Sequence, residues 1–368
     1  MEKKSKKFPL SFFFKKRVLI TGLNGFKGFW LYLFLKTLGA KVEGVGIDGE
    51  NFKILDKVNL KKRNFLKKIN INNHNKLKKY IIQKKPDLIF HLASESLVYE
   101  CDKNPINAIN TNILGLSKLL LIIKDINFKK KVSINIVTSD KCYLPQSKRS
   151  YKENDRLGGN DIYSSTKACQ EIMVSSIFKS YFQEKKGFYI NTFRAGNVVG
   201  GGDYSDNRLF PDIYKTIKNK SKLFIRNKNS TRPWQHVLDT LHGYLLATEF
   251  SFRKKKQFEN WNFSPSTGSF SVNSIIKNLV KTNLIDKKKI NFKKNIIKET
   301  KFLNLNSNKS NKILKWKSVF NLDDTIKDTF EVYNLLDEKI SSSLKMKLLE
   351  QRLKIYLNKI YGDTYRLK

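Results

Sequence analysis

Ser139, Asp140, Lys141, Tyr163 and Lys167 are the residues of this sequence best suited to do chemistry together. Tyr163 and Lys167 stand four positions apart, which on a helix puts both side chains on one face. An ammonium beside a phenol favours phenolate and lowers its pKa from ~10. Such a base can take the proton of an alcohol while hydride leaves the same carbon. Ser139 offers a hydroxyl to hold the alcohol oxygen, and Asp140 and Lys141 add an acid and a second cation. In isolation, Tyr-x-x-x-Lys is equally an amphipathic helix with a surface lysine. Asp140 and Lys141 are equally an ion pair at a strand end.

A glycine turn far upstream changes that balance. Thr21-Gly22-Leu23-Asn24-Gly25-Phe26-Lys27-Gly28 follows a short apolar run and precedes a helical one. Glycines there let the backbone approach a pyrophosphate, which then sits on the helix N-terminus. The spacing is GxxGxxG, and three glycines can also simply make a tight turn. Asp48, about 20 residues on, ends the next strand where an adenosine ribose diol is expected. A carboxylate there favours NAD over NADP, because it would repel a 2′-phosphate. The plainer reading of Asp48 is a turn residue before Gly49.

These groups need a scaffold. Apolar runs at Arg17–Ile20, Lys41–Asp48, Asp87–Leu92, Ile134–Thr138 and Tyr189–Arg194 read as strands. Phe26–Leu38, Leu77–Gln83, Ala108–Ile123 and Tyr163–Phe182 read as helices. The alternation predicts an α/β fold, a Rossmann-type doubly wound parallel sheet, with a smaller C-terminal α/β substrate-binding domain. We expect a tail at 1–16, the dinucleotide-binding domain at 17–195, and the substrate domain at 196–340 with some segments returning to the sheet. A helical tail is expected at 341–368, with Leu344, Leu348, Leu349 and Leu353 at helical spacing. Val272–Val280 and Leu322–Leu336 read as helices of the second domain.

The three cysteines, Cys101, Cys142 and Cys169, show no CxxC spacing, and the four histidines no HExxH. A disulfide framework and a metal site have no support, and a reducing cytoplasm fits. No uncharged apolar run approaches the ~20 residues of a membrane span, and Phe8–Phe14 is too short for a signal peptide. The net charge of +40 comes from 72 basic against 32 acidic residues. It is mostly lysine and spread from end to end, so it predicts salt-dependent attraction for anions and no specific nucleic-acid partner.

At finer grain the sequence resembles the extended short-chain dehydrogenase/reductases, and within them the CDP-glucose 4,6-dehydratase family. The resemblance rests on Thr21–Trp30 (TGLNGFKGFW), Ser139–Tyr143 (SDKCY), Leu157–Asp161 (LGGND), Tyr163–Cys169 (YSSTKAC), Arg194–Asp203 (RAGNVVGGGD) and Thr231–Val237 (TRPWQHV). It runs from about Lys16 to Leu336. It implies NAD held by Thr21, Gly22, Gly25, Phe26, Lys27, Gly28, Asp48, Asn70, Ile71, Leu92, Ala93, Asn112, Tyr163 and Lys167. It implies a CDP-glucose substrate contacted by Asn197, Arg208 and Arg232. The implied reaction is a hydro-lyase cycle: C4 oxidation by Tyr163, Ser139 and Lys167, loss of water across C5 and C6, and hydride return to C6. Asp140 is then the acid for the C6 hydroxyl. Lys141 stands where relatives carry the C5 base, and is either partly neutral or an electrostatic stabiliser of the C4 enolate. Arg194, His91 and His236 read as structural. A cytoplasmic homodimer or homotetramer feeding deoxysugar and lipopolysaccharide O-antigen synthesis is implied, with the helices at 108–123 and 163–182 as the dimerising pair. The sequence departs from the family at Ser94-Glu95-Ser96, where Ala-Gln-Pro is usual, and at Tyr99, where arginine is common.

Overall fold

The computed structural model describes residues 10–47, 53–59, 65–146, 149–225, 227–265, 268–292 and 303–362. Asp48 lies outside them. Seven strands make one sheet: β1 (Arg17–Thr21), β2 (Lys41–Gly46), β3 (Leu66–Lys68), β4 (Leu88–His91), β5 (Val132–Val137), β6 (Phe188–Ala195) and β7 (Phe258–Phe263). Their order is β7-β6-β5-β4-β1-β2-β3, and every pair is parallel. β5 is buried at every position and β6 at all but its first, because helices cover both faces.

The first helix, α1 (Phe26–Thr37), is buried from Gly28 through Leu35. An apolar helix of this kind must be covered on all sides. The sheet covers one side, α5 (Val237–Lys254) a second, and α7 (Ser342–Tyr361) a third. Trp30 Nε1 donates to the Gly201 carbonyl at 3.0 Å. The residues at 342–361 are therefore part of the core. Leu349, Leu353 and Leu357 are wholly buried, and the Tyr356 ring meets Phe34 edge-on at 6.3 Å. At the other end Phe12 and Phe13 are buried, and Phe12 packs on Phe252 of α5 at 4.9 Å.

Two helices lie side by side on the other face. α2 (Pro105–Asp125) carries a π-turn at Asn110–Gly115, and α3 (Ile162–Ile177) continues as a π-turn through Phe182. By length and composition α2 could cross a membrane, but half of its apolar window is already buried against the protein.

Chain past residue 195 is shared between the sheet and a second layer. β7 joins the sheet, and α5 packs on β6 and β7. The remainder forms three two-stranded patches, in which Val198–Val199 pairs with Gln235–His236, Thr231–Arg232 with Phe270–Ser271, and Leu223–Ile225 with Ile290–Phe292. Four more helices lie in this stretch among the described residues: α4 (Leu209–Asn219), α6 (Leu322–Asp337) and two shorter ones at Val272–Lys281, where the sequence predicts a helix, and Asn308–Leu314.

Gly28 fixes how closely α1 approaches the glycine turn. A Cβ there would lie 2.1 Å from the Gly22 carbonyl oxygen. Gly28→Ala is expected to destabilise the protein by about 1–3 kcal/mol, read as a lower urea midpoint at unchanged slope. An unchanged midpoint would mean the turn can shift freely.

Candidate active site

The carboxyl ends of β1, β4, β5 and β6 converge, and the loops that follow them carry the candidate residues. β1 runs into the glycine turn. Gly22 has φ +71, and a Cβ on it would meet Ala93 N at 2.7 Å. Only glycine fits both that conformation and that contact. Thr21 Oγ1 sits 2.8 Å from His91 Nδ1 and accepts from Ala93 N at 3.3 Å, so the loop after β4, with Leu92 and Ala93, is tied to the turn. His91 is buried, and burial lowers its pKa to about 3, with Lys167 adding to the effect. Gly25 caps α1 with no side-chain acceptor for the first-turn amides. Phe26 lies against Gly200, and Lys27 is half-buried above the site. A bare helix N-terminus over a cradle that any Cβ would fill suits a dinucleotide pyrophosphate.

After β3, Asn70 is exposed and accepts from Asn72 N at 2.9 Å, whereas Ile71 is buried against Gly115. Asn112 is wholly buried on the π-turn of α2, and its Nδ2 donates to Thr166 Oγ1 at 2.9 Å. Such a turn re-aims a side chain that a regular helix would point elsewhere.

After β5 comes the turn Asp140–Cys142, capped by Ser139, whose Oγ accepts from Lys141 N at 3.2 Å. Ser139 Oγ also donates to Asp140 Oδ1 at 2.9 Å, while Asp140 Oδ2 is buried without a partner. Burial pushes the Asp140 carboxyl above its ordinary value, against the opposing pull of Lys141, Ser139, Arg232 and Lys27. It is suited to hold a proton and to donate it.

Tyr163 is buried, with Lys141 Nζ 5.8 Å and Lys167 Nζ 5.7 Å from its ring centroid. The expectation that Lys167 lowers the Tyr163 pKa is not what this structure displays. Burial drives the phenol upward, and the hydrogen bond with Ser139 only partly opposes it. The ammonium of Lys167 points instead to Ser94 Oγ at 2.7 Å and Gln170 Oε1 at 3.0 Å. Burial and the neighbouring Lys27 charge lower the Lys167 pKa to about 7. Sequence reading missed both partners. Gln170 was findable, since it lies three residues on along the same helix face.

From the second layer, Arg208 Nη1 pairs with Asp203 Oδ2 at 3.1 Å, and its Nη2 donates to the Ser96 carbonyl at 3.3 Å. Arg232 is buried and donates to the Thr231 carbonyl at 2.9 Å. Asn197 is half-buried, and its carbonyl accepts from Gln235 N at 3.0 Å. Gly196 packs against Pro233, with Asp140 Oδ2 3.4 Å from where its Cβ would be. Asp140 therefore faces the seam between the sheet and the second layer. Glu95 does not reach out. Its Oε1 accepts from the amides of Ser96 at 3.0 Å and Leu97 at 3.4 Å. Tyr99 is exposed.

Arg194 and His236 serve the frame. Arg194 forks onto Glu171, Nε to Oε1 at 2.9 Å and Nη2 to Oε2 at 2.7 Å, with both side chains 2% exposed. Its Nη1 donates to Tyr143 Oη and to the Glu153 carbonyl, each at 2.7 Å. His236 Nε2 is 3.0 Å from Asp328 Oδ2 and has no exposed surface. Among the described residues no group of His, Cys, Asp and Glu could hold a metal ion.

A parallel sheet in this order, a glycine turn at β1, and a Ser, Tyr and Lys set after β5 define a Rossmann-type enzyme of the extended short-chain dehydrogenase/reductase class. Comparison narrows the class. The family model described as GDP-mannose 4,6 dehydratase matches residues 19–329, and the chain belongs to that family. It is a dehydratase, a hydro-lyase. It is 35% identical over 319 residues to a CDP-glucose 4,6-dehydratase of Salmonella typhimurium (strain LT2), covering 84% of this chain and 88% of that one. Among solved structures it is similar to dTDP-glucose 4,6-dehydratase from Bacillus anthracis str. Ames in complex with NAD. That pair has a TM-score of 0.72 at 18% identity, over 89% of this chain and 99% of the other. It is also similar to UDP-glucuronic acid 4-epimerase from Bacillus cereus in complex with UDP-glucuronic acid and NAD. There the TM-score is 0.73 at 22% identity, over 87% and 99%.

Proposed function

We propose that this enzyme dehydrates CDP-glucose to CDP-4-dehydro-6-deoxyglucose using tightly held NAD⁺. The observation that carries the reading is the turn Ser139-Asp140-Lys141 beside Tyr163. On this reading the turn and Tyr163 together supply an oxidation set and an elimination set, and the 35% identity to a CDP-glucose 4,6-dehydratase supports the nucleotide.

When bound, NAD⁺ supplies the acceptor that takes hydride from C4 and returns it to C6. Tyr163 removes the C4 hydroxyl proton while Ser139 holds that oxygen. The phenolate, which burial disfavours, is favoured by the hydrogen bond with Ser139 and the charge of Arg208. With C4 a ketone, the C5 proton is acidic; the Lys141 amine takes it, and the ammonium so formed faces the C4 enolate and returns the proton to C5 as hydride reaches C6. Asp140 gives its proton to the C6 hydroxyl, which leaves as water. The sugar loses one water and keeps its overall oxidation level. On this reading Arg208 and Arg232 bind the substrate pyrophosphate, whose oxygens suit a guanidinium fork, and Asn197 binds the sugar diphosphate. Gly22, Gly25 and Gly28, with Thr21, Phe26, Lys27, Leu92, Ala93, Asn112 and the Asn70–Ile71 loop, form the cofactor's bed.

We also assign the enzyme to the cytoplasm, supplying deoxysugars for surface polysaccharide. The face of α2 and α3 is assigned as the contact between copies, since Ile106, Ile109, Leu114 and Ile172 are exposed on it.

Incubation with CDP-, dTDP- and UDP-glucose and GDP-mannose tests the reading. Formation of a 4-keto product from CDP-glucose alone, and NAD⁺ released on denaturation, are expected. Turnover of dTDP-glucose alone would overturn the nucleotide assignment.

A further inference from the structure

We propose that Ser94 is a positioning residue for Lys167, fixing the place of its ammonium and favouring its charged form. The inference rests on the reading of Lys167 as part of the reaction site. Three distances carry it. Lys167 Nζ lies 2.7 Å from Ser94 Oγ, Ser94 Oγ lies 2.7 Å from Asn112 Oδ1, and Asn112 Oδ1 also accepts from Glu95 N at 2.8 Å.

The direction of these bonds follows from what each atom can do. Asn112 Oδ1 at 2.7 Å and the Glu95 carbonyl at 3.2 Å only accept, so the Ser94 proton goes to one of them and not toward Lys167. The Ser94 lone pairs then face the ammonium, which only donates. Asn112 cannot turn away. Its Nδ2 is held by Thr166 Oγ1 at 2.9 Å and by the Glu95 carbonyl at 3.0 Å, and the residue is wholly buried on the π-turn. Without the Ser94 hydroxyl, Lys167 would keep Gln170 as its remaining hydrogen-bond acceptor among the described residues.

The surroundings make that acceptor matter. Lys27 from α1 pushes against the Lys167 charge, as burial does. Cys101, Cys142 and Glu171 act in the opposite sense. His91 from β4, Glu95 from the adjoining loop and Tyr163 from the same helix also face it. Lys167 thus sits near the edge of losing its charge at neutral pH, where a single acceptor shifts the balance.

The test is the rate at which acetic anhydride acylates Lys167, followed by peptide mass spectrometry as pH is varied. It uses the purified protein with whatever nucleotide it retains. Ser94→Ala removes an acceptor from a charged donor, and the midpoint is expected to fall by roughly one pH unit or more. Ser94→Cys has nearly the same shape but is a weak acceptor, and is expected to follow alanine. Ser94→Thr keeps the hydroxyl and is expected to retain the wild-type midpoint. A wild-type midpoint in Ser94→Ala would overturn the proposal. So would a wild-type midpoint in Ser94→Cys, which would make Ser94 a space-filler, and this variant decides the matter if alanine does not fold. Failure of the wild type to use CDP-glucose would remove the proposed substrate and leave this measurement standing.

Discussion

Tyr163→Phe is expected to lower kcat by about 10²- to 10⁴-fold, the range of a lost general base. The substitution removes one oxygen and leaves the ring that fills the site. The thermal midpoint should stay near wild type, because the phenol is not part of the frame. A single-turnover experiment would place the loss at the first chemical step. No C4 oxidation, and so no elimination, should be seen. Activity within tenfold of wild type would remove Tyr163 from the mechanism and shift attention to Asp140 as the group that takes the first proton.

The second large effect is structural. Arg194→Met is expected to destabilise the fold by about 3–5 kcal/mol, because it leaves the Glu171 carboxylate buried without its cation. Arg194→Lys keeps the charge but loses the fork onto both carboxylate oxygens, and should fall between. The pH dependence follows from the direction of the Glu171 shift. Burial alone would raise its pKa, but Arg194 and the hydroxyls of Thr138 and Thr192 override burial and hold it below the ordinary value. A carboxyl lowered on folding stabilises the native state above its unfolded pKa, roughly 4.3 for glutamate. That contribution fades as pH falls through the folded value. The gap in stability between wild type and Arg194→Met, read by urea unfolding, should therefore be widest near neutrality and narrow in acid. A gap that stays constant through pH 4 would mean Glu171 is not the group left unpaired.

Much of this was legible in the chain because the sheet's strands are short apolar runs separated by helical ones. A parallel sheet buried on both faces requires that pattern. The glycine turn was legible for a different reason, since only glycine tolerates the approach of Ala93 to Gly22. What could not be read was long-range. β7 lies more than 60 residues past β6 in sequence, reads Phe-Glu-Asn-Trp-Asn-Phe, and joins the sheet only because Trp261 and Phe263 are buried by the helices that cover it. The Ser94 contact was similarly hidden. Lys167 and Ser94 are separated by 73 positions. The phenol was expected to be the lysine's partner because the two share a helix face. The loop after β4 supplied a closer acceptor.

The cover that α7 provides for α1 also says something about the order in which the molecule can be completed. Phe34 and Lys36 of the first helix meet Tyr356 and Glu350, residues synthesised more than 300 positions later. Tyr356 also ties back to Asp239 of α5 through a 2.9 Å hydrogen bond. Contacts of such large sequence separation form late. Until residues 342–361 have left the ribosome, the aromatic flank of α1 has no shelter, and a nascent chain stalled before that point would present it to chaperones or to other chains.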